Sequence, residues 1–451
     1  MTAAESDPDR PRARTGERDR PMSDAPTPGA VPGSFAVPRR YFAGKAEWER
    51  EIESIFRHSW LFLAHESEIP EPGDYVTRLM GTDQVIVSRS ESGQVQVMLN
   101  SCTHRGTLLC KADVGNASHF RCGYHGWTFA NDGKLTGVPR HRELYGRDFD
   151  KAAFGLRTAR SDIFHGLIFA TFDADQVELR EYLGDLAFYL ECFLGVSAAG
   201  TDAPYGAFRF NHQGNWKLEA DNFSGDGYHL RHAHRAGFDL GLMGTQAGTT
   251  EGVCIQFEHG HTLRAQRTAG TSEAVFPGYP EDRWPEIQAR LSPDQVDMFS
   301  GSTVVHGIVF PNLAFIHTPR AGGFDPGDPD AAMVQFRLFN PVGPDHTDEL
   351  CWLVTPADYA PEWKESAFKT MQRQHGATAF FESDDMENFR RMLQVNTGAE
   401  TRDRIPANFD LAHDHAPYEP WFDGPGNVVG TDISEVNQRW FYARYLDLME
   451  D

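Results

Sequence analysis

Carboxylates, amides and three histidines crowd into the stretch NWKLEADNFSGDGYHLRHAH at residues 215–234. Side chains of these types are common metal ligands, so their density here indicates a metal site. The preceding run Ala207–Phe210 is typical of the end of a strand, and Leu218–Ala233 predicts a helix apart from two glycines. The candidate ligands therefore lie on a helical segment that follows a strand.

The spacing of the histidines leaves their pairing open. On a straight helix Asp226 lies one turn before His229 and His232 lies one turn after it, whereas His234 points roughly 140° away from His229. A local π-type widening, which is common at functional sites, would bring His234 round instead. Spacing alone therefore leaves His232 and His234 as alternative partners of His229.

A second group of potential ligands lies upstream. Cys102 and His104 form a C-x-H pair, and Cys122 and His125 form a C-x2-H pair after seventeen intervening residues. Two thiolates and two imidazoles suit either a tetrahedral zinc ion or a 2Fe-2S cluster with the cysteines on one iron and the histidines on the other. The C-x-H spacing is tighter than that of a zinc finger, and the finger's His-His helix is missing. The residues resemble the Rieske pattern, including its flanking His-Arg-Gly and His-Gly-Trp.

Together the two groups resemble the large (α) subunit of the Rieske non-haem iron aromatic-ring-hydroxylating oxygenases, over nearly all of the chain from about Phe35. The family pattern N-x3-D-x2-H-x4-H falls on residues of the first stretch, and the acidic pair after Phe380-Phe381 supplies a third iron ligand. The resemblance implies a Rieske 2Fe-2S cluster and a mononuclear Fe(II), whose triad leaves positions open for dioxygen. The implied cluster ligands are Cys102, His104, Cys122 and His125, and the implied iron ligands are His229, His234 and Asp385.

Two positions depart from the family pattern. Asp221 stands where a glutamate is commoner, and His232 adds an imidazole between the two implied iron ligands. We interpret His232 as a surface histidine or as one that supports a ligand.

The resemblance also implies a reaction. It is that of a terminal oxygenase that receives electrons from NAD(P)H through a reductase, a ferredoxin or both, and uses O2 to cis-dihydroxylate an aromatic substrate. A monooxygenase or demethylase acting on an aromatic acid is the alternative, because relatives do this with the same ligands. No G-x-G-x-x-G fingerprint opens a βαβ unit, so we expect the nicotinamide to bind a partner protein.

In the family, electrons cross between neighbouring subunits through a bridging aspartate. Asp226 matches that position, and the implied partners are His125 of the neighbour and His229. A carboxylate that accepts from both imidazole N–H groups would orient both rings. The resemblance thus implies that Asp226 and Asn222 are catalytic, and that the chain forms a homotrimer with or without a small β subunit (α3β3).

Family positions that line the substrate pocket fall on one phenylalanine of the first stretch and on residues further along: Phe223, His306, His375, Phe380 and Phe381. An apolar, aromatic-lined cavity suits a flat arene, although each phenylalanine is also compatible with ordinary core packing. Four arginines near these motifs are expected at the surface, but one that pointed inward would bind a substrate carboxylate: Arg231, Arg235, Arg264 and Arg267.

The expected fold class is α+β, with a small all-β Rieske domain before a catalytic domain in which helices flank an antiparallel sheet (helix-grip type). We predict a disordered tail over residues 1–33, an N-terminal helix on the catalytic domain over 34–58, a Rieske domain over 59–174 and the catalytic iron domain over 175–451. Local patterns predict a hairpin over Asp83–Leu99 and a C-terminal helix with a capping box of Asp432 and Glu435.

Composition excludes several classes of protein. A net charge of -23 argues against nucleic acid or anionic membrane as a partner. No apolar run is long enough for a membrane helix, and the start has no export signal, so we expect a cytoplasmic protein. The six cysteines are too scattered for a disulfide scaffold.

A Rieske electron carrier or a zinc-stabilised binding protein would leave the downstream histidines unexplained.

Overall fold

The computed structural model describes residues 35–240, 250–268, 275–318, 327–412, 414 and 419–450. The predicted disordered tail, residues 1–33, lies outside these ranges. The described chain opens with strand β1 (Ala36–Val37) and helix α1 (Lys45–Glu51), which continues as one π-helical turn over Ile52–Phe56. Ile55 and Phe56 of this turn are buried.

The next segment consists almost entirely of antiparallel strands. Seven strands form one sheet in the order β2-β11-β10-β5-β4-β3-β6, and three form a second sheet in the order β7-β8-β9. The predicted hairpin is confirmed, and Gly93 in its turn has φ 82°, a conformation that glycine adopts readily. The elements are β2 (Leu61–His65), β3 (Asp74–Met80), β4 (Asp83–Arg89), β5 (Val95–Leu99), β6 (Val114–Asn116), β7 (His119–Arg121), β8 (Thr128–Ala130), β9 (Leu135–Gly137), α2 (His141–Leu144), β10 (Thr158–Phe164) and β11 (Leu167–Thr171).

An eight-stranded antiparallel sheet dominates the rest of the chain. The first half of this segment contains α3 (Leu179–Leu183), α4 (Leu186–Leu194), β12 (Thr201–Asp202), β13 (Ala207–Gln213), α5 (Trp216–Gly225), α6 (Leu230–Ala233), α7 (Arg235–Asp239), β14 (Thr250–Gln256), β15 (Thr262–Thr268), α8 (Trp284–Arg290), α9 (Pro293–Gly301), β16 (Ser302–Val309) and β17 (Leu313–Thr318).

The second half completes the sheet and adds the longest helices. It contains β18 (Met333–Pro341), β19 (His346–Leu353), β20 (Thr355–Pro356), α10 (Pro361–His375), α11 (Phe380–Asn396), α12 (Ala399–Arg404), β21 (Ala407–Asn408), β22 (Asn427–Thr431) and α13 (Val436–Glu450). The strands of the large sheet lie in the order β13-β19-β18-β17-β16-β15-β14-β22. The predicted α+β fold class is confirmed. None of the helices in the described ranges combines the length and apolar character needed to cross a membrane.

Different elements cover the two faces of the large sheet. On one face Phe62 of β2 packs against Phe336 and Trp352, with ring centroids 6.3 and 4.9 Å apart. On the other face α5 lies across the sheet, and the guanidinium carbon of Arg337 in β18 lies 4.7 Å from the centroid of Phe223 in that helix. The sheet is therefore buried on both sides, and α5 starts the layer that contains the candidate iron ligands.

The predicted helix over Leu218–Ala233 is interrupted. Helix α5 ends at Gly225, and Asp226 has the non-helical angles φ -74° and ψ 86°. A Cβ on Gly227 would overlap the carbonyl oxygen of Asp432. The helix ends because this close approach of two backbones leaves no space for a continuing helical turn with side chains.

The predicted capping box of Asp432 and Glu435 is wrong. Helix α13 begins only at Val436. The carboxylate of Asp432 instead accepts from Arg264 at 3.1 Å, and that of Glu435 accepts from the backbone N–H of Leu411 at 2.8 Å. Neutralising a buried guanidinium outweighs the gain from a helix cap, which is about 1 kcal/mol.

A buried ion pair joins the N-terminal helix to α5. Lys217 Nζ lies 2.5 Å from Glu51 Oε1, and both side chains are fully buried. The same carboxylate accepts from Tyr445 at 2.6 Å and from the indole of Trp216 at 2.8 Å. The carboxylate and the ammonium neutralise each other, and so both can be buried. The contact joins three parts of the chain that are far apart in sequence: α1, α5 and α13.

We expect Glu51→Gln to destabilise the protein by about 3–5 kcal/mol, because it leaves the Lys217 ammonium buried without a counter-charge. Thermal unfolding at fixed protein concentration measures the effect. The matched control is Glu53→Gln, which removes an exposed ion pair to Arg57 and should cost below about 1 kcal/mol. A double variant, Glu51→Gln with Lys217→Met, should recover much of the loss; equal losses in the single and double variants would contradict this account.

Candidate active site

Two loops of the β-rich segment hold the four Rieske-type residues, and they share one backbone pattern. The N–H groups of Cys102 and Cys122 donate to the carbonyl five residues on, at 2.9 and 2.8 Å. The carbonyls of the same cysteines accept from Gly106 and Gly126, whose φ angles are 79° and 73°. Left-handed backbone of this kind favours glycine. The two loops are therefore built alike and can present their ligands to one point.

The side chains of the two loops converge. The rings of His104 and His125 lie 4.5 Å apart, and the His104 ring stacks on Trp127 at 4.9 Å. Both cysteines are buried. Burial raises the pKa of the Cys122 thiol, but backbone N–H groups of His125 and Tyr124 outweigh burial and hold that pKa below its ordinary value.

These observations fit a 2Fe-2S cluster. Two sulfurs and two imidazoles form the donor set, and backbone N–H groups already point at one sulfur, as they do around such clusters. Nδ1 of His104 is buried without a hydrogen-bond partner, which leaves that nitrogen available to a metal. The four side chains have the chemistry and the proximity that the cluster requires.

The second group lies between α5 and α11. Nε2 of His229 and Nε2 of His234 are 3.2 Å apart, and Asp385 Oδ1 lies 3.8 Å from the first and 3.5 Å from the second. Ligands about 2.1 Å from one metal and at right angles to each other lie about 3 Å apart. The three atoms thus form one triangular face that fits a single metal ion.

A carboxylate faces the other ring nitrogen of each histidine. Nδ1 of His229 lies 3.3 Å from Asp226, as an ionic contact rather than an aligned hydrogen bond, and Nδ1 of His234 lies 3.3 Å from Asp384. Such contacts orient a ligand ring and raise its basicity. The contact of Asp384 was not anticipated from the sequence, although its place in the acidic run before Asp385 could have suggested it.

The structure brings His234 and not His232 towards His229. His232 is exposed and lies beside the exposed ring of Tyr228, with centroids 5.4 Å apart. Helix α6 is a single turn that ends at Ala233, and His234 follows with φ -99° and ψ 28°. This turn brings His234 back towards His229 without a π-type widening.

The four predicted pocket residues whose side chains are described form two contacting pairs, one of which touches a candidate iron ligand. His375 stacks on Phe381 at 5.3 Å, and the Phe381 ring meets His234 edge-on at 4.7 Å. His306 in β16 contacts the backbone carbonyl of Phe223 through Nδ1 at 3.0 Å. The amide of Asn222 lies 3.5 Å from Nε2 of His229. The side chain of Phe380 lies outside the described residues.

Arg337 connects the two ligand-bearing segments, a role that the sequence did not indicate. It forms a paired contact with the Glu382 carboxylate, through Nη1 and through Nη2 at 2.5 Å, and donates to Glu349 at 2.7 Å. Glu382 lies in α11 three residues before Asp385 and contacts His375 at 3.3 Å. Burial would raise the pKa of Glu382, but Arg337 and His375 lower it to about 2, so this carboxylate stays ionised.

The expectation that Arg264 lies at the surface is wrong. Arg264 is 1% exposed; it donates to the backbone carbonyl of Asp432 at 2.6 Å and contacts Nε2 of His306 at 3.1 Å. Its register position in β15, opposite His306, directs it into the layer of the iron ligands. The arginine is buried because Asp432, 168 residues later, supplies the counter-charge.

Comparisons with known proteins agree with this geometry. A family model described as Rieske [2Fe-2S] domain matches residues 59–153, and one described as Ring hydroxylating alpha subunit (catalytic domain) matches residues 200–451. The chain is 32% identical over 421 residues to the large oxygenase component of the naphthalene 1,2-dioxygenase system of Pseudomonas aeruginosa, with 88% of each chain covered. It is 30% identical over 418 residues to the N,N-dimethyl phenylurea N-demethylase subunit alpha of Sphingobium sp. (strain YBL2), with 91% of this chain and 90% of that one covered.

Among solved structures, the naphthalene 1,2-dioxygenase from Rhodococcus sp. bound to indole is similar over 92% of this chain and 94% of its own, with a TM-score of 0.87 and 38% identity. Both functional units of the sequence therefore have relatives in one protein class. The chain belongs to the Rieske-type ring-hydroxylating dioxygenase family as an α subunit, an oxidoreductase with a 2Fe-2S cluster and a mononuclear Fe(II).

Proposed function

We propose that this chain is the terminal oxygenase of a multicomponent aromatic-ring dioxygenase, and that it cis-dihydroxylates a neutral arene with O2. The observation that carries the proposal is the triangular face formed by His229, His234 and Asp385, in a chain that also holds a convergent Cys2His2 donor set. Bound there, Fe(II) would supply the positions at which dioxygen is activated. Electrons would come from NAD(P)H through a reductase, a ferredoxin or both.

The ligand assignment follows from the donor atoms. Cys102 and Cys122 would hold one iron of the cluster, and His104 and His125 the other. His229, His234 and Asp385 would hold the mononuclear iron, while Asp226 and Asp384 fix the orientation of the two imidazoles through Nδ1. Asn222 would lie beside the iron, since its amide is already near Nε2 of His229.

We further propose that Asp226 links the mononuclear site to the cluster of a neighbouring subunit. Its side chain is 30% exposed while it contacts His229, so the carboxylate can contact His229 and a residue of a neighbouring subunit at the same time. The other end of the link would be His125, which lies against Tyr124, a ring that is 62% exposed. Burying these groups between copies favours a homotrimer; a small β subunit (α3β3) would bind outside this contact.

The charges around the site favour a neutral substrate over an aromatic acid. On this face of the described sheet the two buried arginines, Arg264 and Arg337, already have carboxylate partners. The remaining lining that we propose, Phe223, Phe381, His306 and His375, suits a flat apolar ring. Phe380 remains a predicted lining residue.

The alternative is a monooxygenase or demethylase. It is favoured by one observation, the similarity of 91% of the chain to a phenylurea N-demethylase subunit. The iron ligands would be the same in both reactions, because the position of the bound substrate decides which bond is oxidised.

We place the protein in the cytoplasm, with no nucleic acid as a partner.

Product analysis tests the reaction. The holoprotein with a surrogate reductase and ferredoxin, NADH and O2 is incubated with naphthalene, with benzoate and with an N,N-dimethylphenylurea. We expect a cis-dihydrodiol from naphthalene, with both oxygens derived from labelled O2. A demethylated urea as the sole product would replace the proposal by its alternative, and turnover of benzoate alone would overturn the neutral-substrate argument.

Single substitutions test the iron ligands. His234→Ala and Asp385→Ala should lose the mononuclear iron and all oxygenation, because each removes a donor atom of the triangular face. Both should keep the paramagnetic signal of the reduced Rieske cluster. The matched control is His232→Ala, which should retain iron; the reverse pattern for the two histidines would show that the assignment is wrong. Iron quantification and spectroscopy of the reduced protein measure both centres.

Asp226→Asn tests the proposed link. The amide keeps the size of the carboxylate, but it cannot accept well from two imidazole N–H groups at once. Both metal centres should assemble, and transfer between them should slow by about 10- to 100-fold or more. The measurement is single-turnover stopped-flow of the reduced variant with substrate and O2, after both centres have been quantified. Reoxidation of the cluster at the wild-type rate would show that Asp226 has only a structural role.

A further inference from the structure

One buried polar side chain beneath α5 and α11 has no role in the chemistry proposed so far. Gln335 in β18 is 0% exposed, and neither Oε1 nor Nε2 of its amide has a hydrogen-bond partner within the described structure. A buried polar group left unpaired is destabilising, because it has lost its hydrogen bonds to water. Native proteins therefore rarely keep such a group without a use, and both hydrogen-bonding functions of this amide are available to a ligand.

Strand register places Gln335 in line with the proposed substrate pocket. Gln335 is the partner of Ile316 in β17, and Ile316 is the partner of His306 in β16. Directly opposed residues share a sheet face, so the three side chains form one row. Two strand spacings separate the ends of the row by roughly 10 Å, about the long dimension of two fused aromatic rings.

The face that carries this row is the one that packs against the proposed iron ligands. Arg337, two residues along β18 and thus on the same face, contacts Phe223 of α5 and Glu382 of α11. His306 contacts the backbone of Phe223. The opposite face, with Phe336, packs against Phe62. Gln335 therefore extends from the sheet towards the layer in which the substrate would lie.

The other polar groups of the row already have partners. Nε2 of His306 faces Arg264, whose guanidinium also contacts Asp432. Burial and the nearby Arg264 charge lower the pKa of His306 to about 3, so its ring is neutral and Nε2 accepts from the guanidinium. Within the described part of this row, Gln335 is thus the polar side chain whose donors and acceptor are both unused.

We propose that Gln335 is a specificity-determining residue, and that it forms a polar subsite for a neutral arene carrying a ring N–H, a carbonyl or a hydroxyl. The inference rests on the proposed function, because it takes the space beside His306 as the substrate pocket. The amide would accept from an N–H group or donate to a carbonyl. A hydrocarbon of the same shape would leave it unpaired, which is how polar sites reject apolar analogues.

Equilibrium dialysis of the iron-replete holoprotein tests this with two pairs of similar shape: indole with indene, and 1-indanone with indane. For each pair the ratio of dissociation constants, hydrocarbon over polar compound, is compared between the wild type and Gln335→Met. The thioether has nearly the same size as the amide but offers no strong hydrogen bond. We expect the substitution to lower both ratios by about 10-fold or more, because it removes the amide that pairs with the polar compounds.

The matched control is Gln438→Met, the same change at a buried glutamine of α13, which should leave both ratios unchanged. If Gln335→Met fails to retain iron, Gln335→Leu is measured in its place. Ratios that stay at the wild-type value in an iron-replete Gln335 variant would overturn the inference. Failure of the proposed function is distinct, because it would appear as absence of oxygenated products while the binding ratios still changed.

Discussion

The guanidinium of Arg337 holds together the layer on which the proposed iron site depends. It extends from β18, the third strand of the large sheet, and contacts both the Phe223 ring of α5 and the Glu382 carboxylate of α11. Helix α5 leads into His229 and His234, and α11 carries Asp385. Removing one partner from a buried ion pair costs about 3–5 kcal/mol, so the spacing between the two segments is fixed by a contact that is expensive to break.

The charge balance of this layer explains why it can be buried. Glu382 and Glu349 both face Arg337. Burial raises the pKa of Glu349 well above its ordinary value, although the charge of the arginine opposes that rise. Nearby, burial lowers the pKa of His212, but the Glu219 carboxylate raises it to about 9, so these two residues also neutralise each other. Among the described residues of this layer, Arg264, Arg337 and His212 thus each have a carboxylate partner, which is consistent with the proposed neutral substrate.

The sequence predicted those parts of the site that depend on local spacing. Cys102 and His104 share one tight loop, and His229 and His234 share one segment. Their motifs can therefore be recognised from one sequence alone. The contacts of Arg337 with Glu382 and of Arg264 with Asp432 join residues 45 and 168 positions apart, and no local pattern records such pairs. For the same reason the prediction that Asp432 caps a helix is wrong. Its residue type and its spacing to Glu435 fit a cap, and only the tertiary fold brings Arg264 next to it.

The break after α5 connects the buried site to the surface. Gly227 packs against the backbone of Asp432, and the preceding Asp226 leaves the helical path. Its side chain is partly exposed while its carboxylate keeps contact with His229. A longer helix would have carried Asp226 into a regular turn and His234 away from His229. Asp432 therefore has two effects: its carboxylate neutralises Arg264 next to His306, and its carbonyl sets the path of the segment that carries Asp226. In the proposed enzyme the substrate pocket and the route of the electrons would depend on the same short stretch before α13.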